Sequence, residues 1–149
     1  ADHGFRVGEN AYELELSYQH IPILFYAPKM IQPEIRDELI GQIDLFPTLM
    51  GMLNMRYINN TLGENILKRP RPCIYFSADD KIGCIDQKWL YVHKFSGGES
   101  LYDYRSNNTH NFAAENKSDL ERLRKYAFSQ IQTSEWMYSN DKTNITGGN

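Results

Sequence analysis

Apolar and polar positions alternate with different periods along this chain, and each period predicts an element. Ile21-Pro22-Ile23-Leu24-Phe25-Tyr26 is an uninterrupted apolar run of strand length, closed by Ala27-Pro28. Apolar on both faces, it predicts a strand covered on both sides, as in a parallel α/β sheet. Pro22 falls near its start, where a missing donor does least harm. A polar crossover, Lys29 to Glu38, leads into Gly41-Gln42-Ile43-Asp44-Leu45-Phe46-Pro47-Thr48-Leu49. Here the period becomes helical: Leu45, Leu49, Met52 and Leu53 form a stripe, Asp44 suits an N-cap and Pro47 suits a first turn. These signals predict a helix over 45–55. Residues 56–72 read as loop, punctuated by Asn59-Asn60 and by Arg69-Pro70-Arg71-Pro72, which is the best internal boundary.

Beyond that boundary the period switches to two. Cys73–Ser77 and Ile82–Asp86 flank the polar turn Asp79-Asp80-Lys81, a hairpin signal. Lys88–Phe95 follows, with Trp89, Tyr91, His93 and Phe95 on one face and Leu90 and Val92 on the other. Gly97-Gly98 turns the chain into Ser100–Tyr104. The prediction is a meander of four short antiparallel strands. After a loop over 106–116, Ser118-Asp119-Leu120-Glu121 matches a capping box, and Leu120, Leu123, Ala127 and Ile131 share one face of a helix to about Tyr138. Residues 5–19 read as mixed and polar, with loop at Gly8-Glu9-Asn10, and the tail from Ser139 to Asn149 reads as loose.

Composition narrows the function classes. The chain has 149 residues, of which 41% are hydrophobic, enough for a buried core. A net charge of −3 gives no electrostatic footprint for nucleic acid. The ten Tyr suit strand packing or a carbohydrate-facing surface. No apolar run approaches the ~20 residues of a membrane span, and no stretch of these residues reads as a signal peptide. Cys73 and Cys84 flank the expected hairpin and could approach each other; buried free thiols are the expectation. Asn-x-Ser/Thr sequons occur at Asn59, Asn107, Asn116 and Asn144, and the frequency of Asn in polar loops accounts for them.

The candidate chemistry lies in Ala1-Asp2-His3-Gly4. Asp2 and His3 set a carboxylate oxygen beside an imidazole nitrogen, and Gly4 lets the backbone turn sharply. That donor pair suits a divalent ion such as zinc or manganese. The plain alternative is a solvated terminus. A chain that starts inside such a motif reads as the carboxyl-terminal piece of something longer.

Three segments in this order resemble the carboxyl-terminal part of the alkaline phosphatase superfamily, in its sulfatase and lipoteichoic acid synthase-like branch. Ala1-Asp2-His3-Gly4 looks like the late metal-binding Asp-His-Gly of that group. His20-Ile21-Pro22-Ile23-Leu24-Phe25-Tyr26-Ala27-Pro28 is similar to its Val-Pro-apolar strand. Gly41-Gln42-Ile43-Asp44-Leu45-Phe46-Pro47-Thr48-Leu49 is similar to its Gln-x-Asp-x-x-Pro-Thr-Leu helix start. A softer match runs from Lys88-Trp89-Leu90-Tyr91 through Glu99-Ser100-Leu101-Tyr102-Asp103 to Asn111-Phe112, like the ending of many sulfatases. The resemblance spans roughly residues 1–130.

The resemblance implies an α/β fold: residues 1–68 as the end of an alkaline-phosphatase-like α/β/α core, and residues 69–149 as an antiparallel β subdomain with a final helix. It implies a metal-dependent hydrolase or phosphotransferase acting on phosphate or sulfate esters, which could be lipid- or glycan-linked. A Thr, Ser or Cys-derived nucleophile is expected upstream, so no catalytic residue is expected in this stretch. Asp2 and His3 become ligands of a divalent ion (manganese, zinc, calcium or magnesium). His20, bland as a strand cap, becomes a substrate-facing residue. The full-length protein would work outside the cytoplasm, anchored in a membrane, with the upstream half as partner of this one and no role for nucleic acid. Phe5–Gln19 contains no Lys, where sulfatases tend to carry one, and this favours a phosphoglycerol transferase or related phosphoesterase. The rival expectation is a non-catalytic binding or structural module on the same scaffold. His93, His110, Asp79-Asp80, Arg69 and Arg71 read as packed or solvated, not as site residues.

Overall fold

The computed structural model describes residues 2–8, 11–78 and 80–144. Ala1, the loop residues Glu9 and Asn10, the turn residue Asp79 and the tail beyond Asn144 lie outside them. The fold is mixed α/β. Its centre is a four-stranded antiparallel meander in the order β1 (Ile74–Ala78), β2 (Lys81–Ile85), β3 (Trp89–Lys94), β4 (Glu99–Asp103). The register matches the period-two pattern: Tyr75 pairs with Cys84, Cys84 with Tyr91, and Tyr91 with Leu101. Gly97 and Gly98 turn β3 into β4 at φ +102° and +99°, backbone that side chains with a Cβ rarely adopt.

Both faces of the sheet are covered. On one, the long helix α3 (Lys117–Ser139) lays Leu120, Leu123 and Ala127 against Cys73, Ile82, Cys84, Trp89, Tyr91 and Leu101. On the other, Leu90, Val92 and Tyr102 are buried under Tyr12 and Leu14, which reach across from the N-terminal segment as a strap. Glu13 fastens this strap by accepting hydrogen bonds from Lys94 Nζ (2.9 Å) and Ser100 Oγ (2.9 Å). The strap runs into α1, a single turn over Leu16–Gln19.

Residues 20–72 depart most from expectation. Ile21–Tyr26 is extended, but it is not a strand: no parallel sheet forms among the described residues. A strand needs a neighbour to take its N–H and C=O groups, and this run has none here. Leu24 is 87% exposed, and Tyr26, Met30, Ile35, Phe46, Met55 and Ile58 are exposed too. The predicted helix does form, as α2 (Leu45–Met52), shorter at its C-terminus than expected and preceded by a 3-10 turn over Gln42–Asp44.

Asp44 does not cap α2 through its side chain. Fully buried (0% exposed), it accepts from Gly41 N–H (2.9 Å), Glu64 N–H (2.8 Å) and Arg71 Nε (2.6 Å). Arg71 is likewise buried, neither solvated nor open to an anion. It also donates to Tyr126 Oη (3.1 Å) on α3 and to the Leu62 carbonyl. The capping box expected at Ser118 is not formed either. The helix begins at Lys117 behind Asn116, Leu120 N–H bonds to the Asn116 carbonyl, and Asp119 instead meets Arg122.

Asp44→Ala should therefore destabilise the chain by about 3–5 kcal/mol, since it leaves a buried guanidinium unpaired. Leu24→Ala should change stability by no more than about 0.5 kcal/mol. Denaturant titration of both variants checks this contrast.

The link from β4 to α3 predicts an acid limit. Glu99 accepts from Arg124 Nε (2.7 Å) and Nη2 and from Tyr91 Oη (2.5 Å). Its carboxyl is held below the usual range, chiefly by the Arg124 hydrogen bond and against the effect of burial. A carboxyl lowered on folding stabilises above its unfolded value and loses that contribution as pH falls through the folded value. The thermal midpoint should fall on acidification below about pH 4.3, and Glu99→Gln should flatten that part of the profile.

Candidate functional site

The N-terminal motif is folded onto α1. Gly4 N–H donates to the Tyr18 carbonyl (2.8 Å). A Cβ on Gly4 would sit 2.2 Å from the Ser17 carbonyl oxygen and 3.4 Å from that of His20, so only glycine fits this approach. The His3 ring stacks on Tyr18, centroids 4.4 Å apart and planes 15° from parallel. Its Nδ1 lies 2.7 Å from the Gly4 carbonyl. A carbonyl can only accept, so Nδ1 is the donor here, and in the neutral ring Nε2 then holds the free lone pair. This is the tautomer that metal-binding histidines adopt.

A second tie joins this corner to α2. Gln42 Nε2 donates to the Asp2 carbonyl at 2.5 Å. The structure therefore brings together parts of all three motif segments: Asp2-His3-Gly4, the end of α1 with His20, and the 3-10 turn at Gln42. Asp2, His3 and His20 are all exposed. His20 closes α1 with its N–H on the Leu16 carbonyl (2.8 Å). The chemistry of the donor set fits half of a metal centre. Asp2 and His3 supply an oxygen and a nitrogen from adjacent residues, and zinc or manganese takes at least four donors. Among the described residues no group of three or more His, Cys, Asp or Glu is placed to hold a cation.

Other titratable groups are occupied in holding the fold. Asp86 accepts from Lys88 N–H (2.7 Å) and Trp89 N–H (2.6 Å) and pairs with Arg122 (2.5 Å). His93 packs edge-on against Phe95 and Phe128, with Nδ1 3.7 Å from Glu99. His110 meets Glu115 at 2.8 Å on the surface. The two cysteines are free and buried. Their mutual hydrogen bond, with Arg122 nearby, pulls the Cys73 thiol down; that same bond and burial push Cys84 up.

Sequence reasoning missed the strap and the groups around it. Glu13, Glu15, Tyr18, Arg6 and Lys81 line one cleft beside the motif, and residues 5–19 read from the sequence only as mixed and polar, with loop at Gly8-Glu9-Asn10. The signal was present: Tyr12, Leu14 and Leu16 alternate with Glu13 and Glu15, the pattern of a segment that covers one face of a sheet.

No family model matches the chain, and no curated protein matches it.

The close packing at Gly4 gives a local prediction. Gly4→Ala should force the motif off α1, raising hydrogen exchange across residues 2–7 and 16–20, while protection in β2, β3 and α3 stays as it was. Amide exchange read by mass spectrometry or NMR checks it. Unchanged exchange at the motif contradicts the packing described.

Proposed function

We propose that this chain is the carboxyl-terminal part of a metal-dependent enzyme of the alkaline phosphatase superfamily, in its sulfatase and lipoteichoic acid synthase-like branch. It acts on phosphate or sulfate esters outside the cytoplasm, in a protein whose upstream half carries the nucleophile and the membrane anchor. Phosphoglycerol transfer or phosphoester hydrolysis is favoured over sulfate-ester hydrolysis, because Phe5–Gln19 holds no Lys. The observation that carries this reading is the meeting at one corner of two segments chosen for their motifs alone, Asp2-His3-Gly4 and the turn at Gln42, beside the end of α1 where the third segment starts at His20. Gly4 bonds to α1, and Gln42 bonds to Asp2.

The exposed apolar surface supports the same reading. Leu24, Tyr26, Met30, Ile35, Phe46, Leu49 and Ile58 are all exposed and fall within 24–58. Apolar side chains in such density mark a surface that another polypeptide covers. An unpaired extended run at 21–26 is what the edge of a larger parallel sheet leaves when its neighbours are removed. In the proposed enzyme the upstream half supplies those neighbours. No helix among the described residues is long and apolar enough to cross a membrane.

The chain's own contribution follows from its donors. Asp2 Oδ and the bare Nε2 of His3 would hold a divalent ion: manganese, zinc, calcium or magnesium. Once bound, such an ion stabilises the nucleophile's alkoxide and neutralises charge developing on the transferred group's oxygens. His3 keeps its orientation through the Gly4 carbonyl and the Tyr18 ring. His20, exposed at the end of α1, is the residue placed to meet the ester.

The test is made on this chain joined to the coding sequence upstream of it, with elemental analysis and a screen of phosphodiester and sulfate-ester substrates. Asp2→Ala and His3→Ala should each abolish turnover and lower metal content, while α3 and the sheet stay folded. Activity retained in both variants removes the ligand assignment. An upstream sequence with no Thr, Ser or Cys nucleophile and no acidic ligand leaves a non-catalytic module.

A further inference from the structure

Two buried nucleophiles have no part in the function proposed above, the free thiols of Cys73 and Cys84. The ladder places them together. Tyr75 pairs with Cys84 across β1 and β2, so Cys73 is the diagonal neighbour of Cys84 on the same face of the sheet. Both side chains enter the core beneath Leu120, Leu123 and Ala127 of α3, and they are 1% and 0% exposed. Diagonal neighbours lie about 7–8 Å apart at Cα, and a disulfide spans up to about 7 Å. Cys73 stands one residue before β1, the edge strand of the sheet, so it is the end that takes up the difference.

The surroundings of the two sulfurs differ, and the difference gives each a role. Arg122 Nη1 lies 3.7 Å from Cys73 Sγ. That guanidinium also pairs with Asp86 (2.5 Å) and is half exposed, in the wall of a surface groove of about 340 Å³ beside Pro72 and Trp89. A cation beside a sulfur favours the thiolate, which is the reacting form. The Cys73 thiol is drawn below the usual range, chiefly by a hydrogen bond from Cys84 and also by Arg122, against the effect of burial. Cys84 is held as a thiol by that same bond, by burial and by the charge of Cys73. Once Cys73 carries a second sulfur, the first and last of these influences lapse.

We propose that Cys73 and Cys84 are a redox couple, closed to a disulfide by exchange with a small disulfide of the glutathione class, Cys73 attacking and Cys84 resolving. The Cys73 thiolate attacks one sulfur of R–S–S–R. The S–S bond breaks, and the departing R–S⁻ takes up the proton that Cys73 gave to water. Cys84 then loses its proton, and its sulfur attacks Cys73 Sγ. The second R–S⁻ leaves and takes that proton. Two protein thiols are oxidised to one disulfide, and the small disulfide is reduced to two thiols. Burial sets the occasion: exchange runs during folding, or when the start of β1 opens toward the groove. The bond fastens the edge strand where the chain enters the sheet from Arg71, itself held by Asp44. It needs neither metal nor ester, so it stands or falls separately from the function above.

The test takes the 149-residue chain, native and during refolding from guanidinium, through buffers of reduced and oxidised glutathione. Alkylation and mass spectrometry then count the free thiols. Both should disappear together in a monomer, with the peptides bearing Cys73 and Cys84 joined. The disulfide form should keep amide protection in β2, β3 and α3 and melt roughly 5–10 °C higher. Cys84→Ser should stop at a single glutathione on Cys73, while Cys73→Ser should take one up at Cys84 slower by about tenfold or more. Arg122→Gln should slow the first exchange about tenfold at neutral pH and move its pH profile upward, because the cation that favours the thiolate is gone. Thiols that stay free in excess oxidised glutathione under both conditions, cross-linked dimers, or a disulfide form that loses the sheet or melts no higher overturn the couple. Equal uptake by the two serine variants, or a pH profile unmoved in Arg122→Gln, overturns the order of attack.

Discussion

The Asp44–Arg71 ion pair is the interaction on which the rest of this structure depends. Two opposite charges removed from water are tolerated only when both groups gain further hydrogen bonds. Here they do so by drawing in distant chain. Asp44 takes N–H groups from Gly41 and Glu64, while Arg71 reaches the Leu62 carbonyl and Tyr126 of α3. Thr48 adds to the same knot, donating to the Glu64 carbonyl and accepting from Ile66 N–H. One pair thus joins the start of α2, the irregular segment 62–71 and the final helix. Few apolar contacts hold residues 20–72 to the sheet, so the polar knot sets where α2 lies. Through Gln42 it also sets where the Asp2 carbonyl lies.

The sheet supplies the other fixed part. β3 is buried on both faces, Trp89 and Tyr91 toward α3, Leu90 and Val92 toward the strap. An antiparallel sheet with one wet face would leave the strap free to move. With both faces dry, the strap becomes part of the core, and α1 and Gly4 inherit its rigidity. Rigid support within a few residues is what an exposed two-donor motif needs if it is to present a set geometry.

The parts of this arrangement that follow from local pattern were legible in the sequence. β1–β4 and α3 come straight from period two and period 3.6, and the placing of Trp89 and Tyr91 on the face opposite Leu90 and Val92 holds because alternation fixes it. What pattern alone misread were residues whose roles depend on remote partners. Asp44 beside Pro47 has every local mark of an N-cap, yet Arg71 captures it from 27 positions away. Arg71, between two prolines, has the local marks of a solvated linker. Ile21–Tyr26 has the composition of a central strand but no neighbour here to pair with. Among the site residues, Gly4 explains itself only once Ser17 is seen against it. The quoted motifs gave the choice of Asp2, His3 and His20, but not the Tyr18 ring that ties His3 to the neighbouring cleft.

The strap also has a consequence for how the chain is made. Glu13 bonds to Ser100, 87 positions later, and Tyr12 packs on Tyr102. Synthesis runs from the N-terminus, so the ribosome must deliver most of the polypeptide before the strap has anything to cover. Until then Tyr12 and Leu14 stay in water, and the first residues of the chain have no fixed geometry. Contacts of such long sequence separation slow folding, because a large loop must close before they form. The nascent chain is therefore open to chaperone capture throughout that interval, and the Asp2–His3 corner is among the last features to take shape.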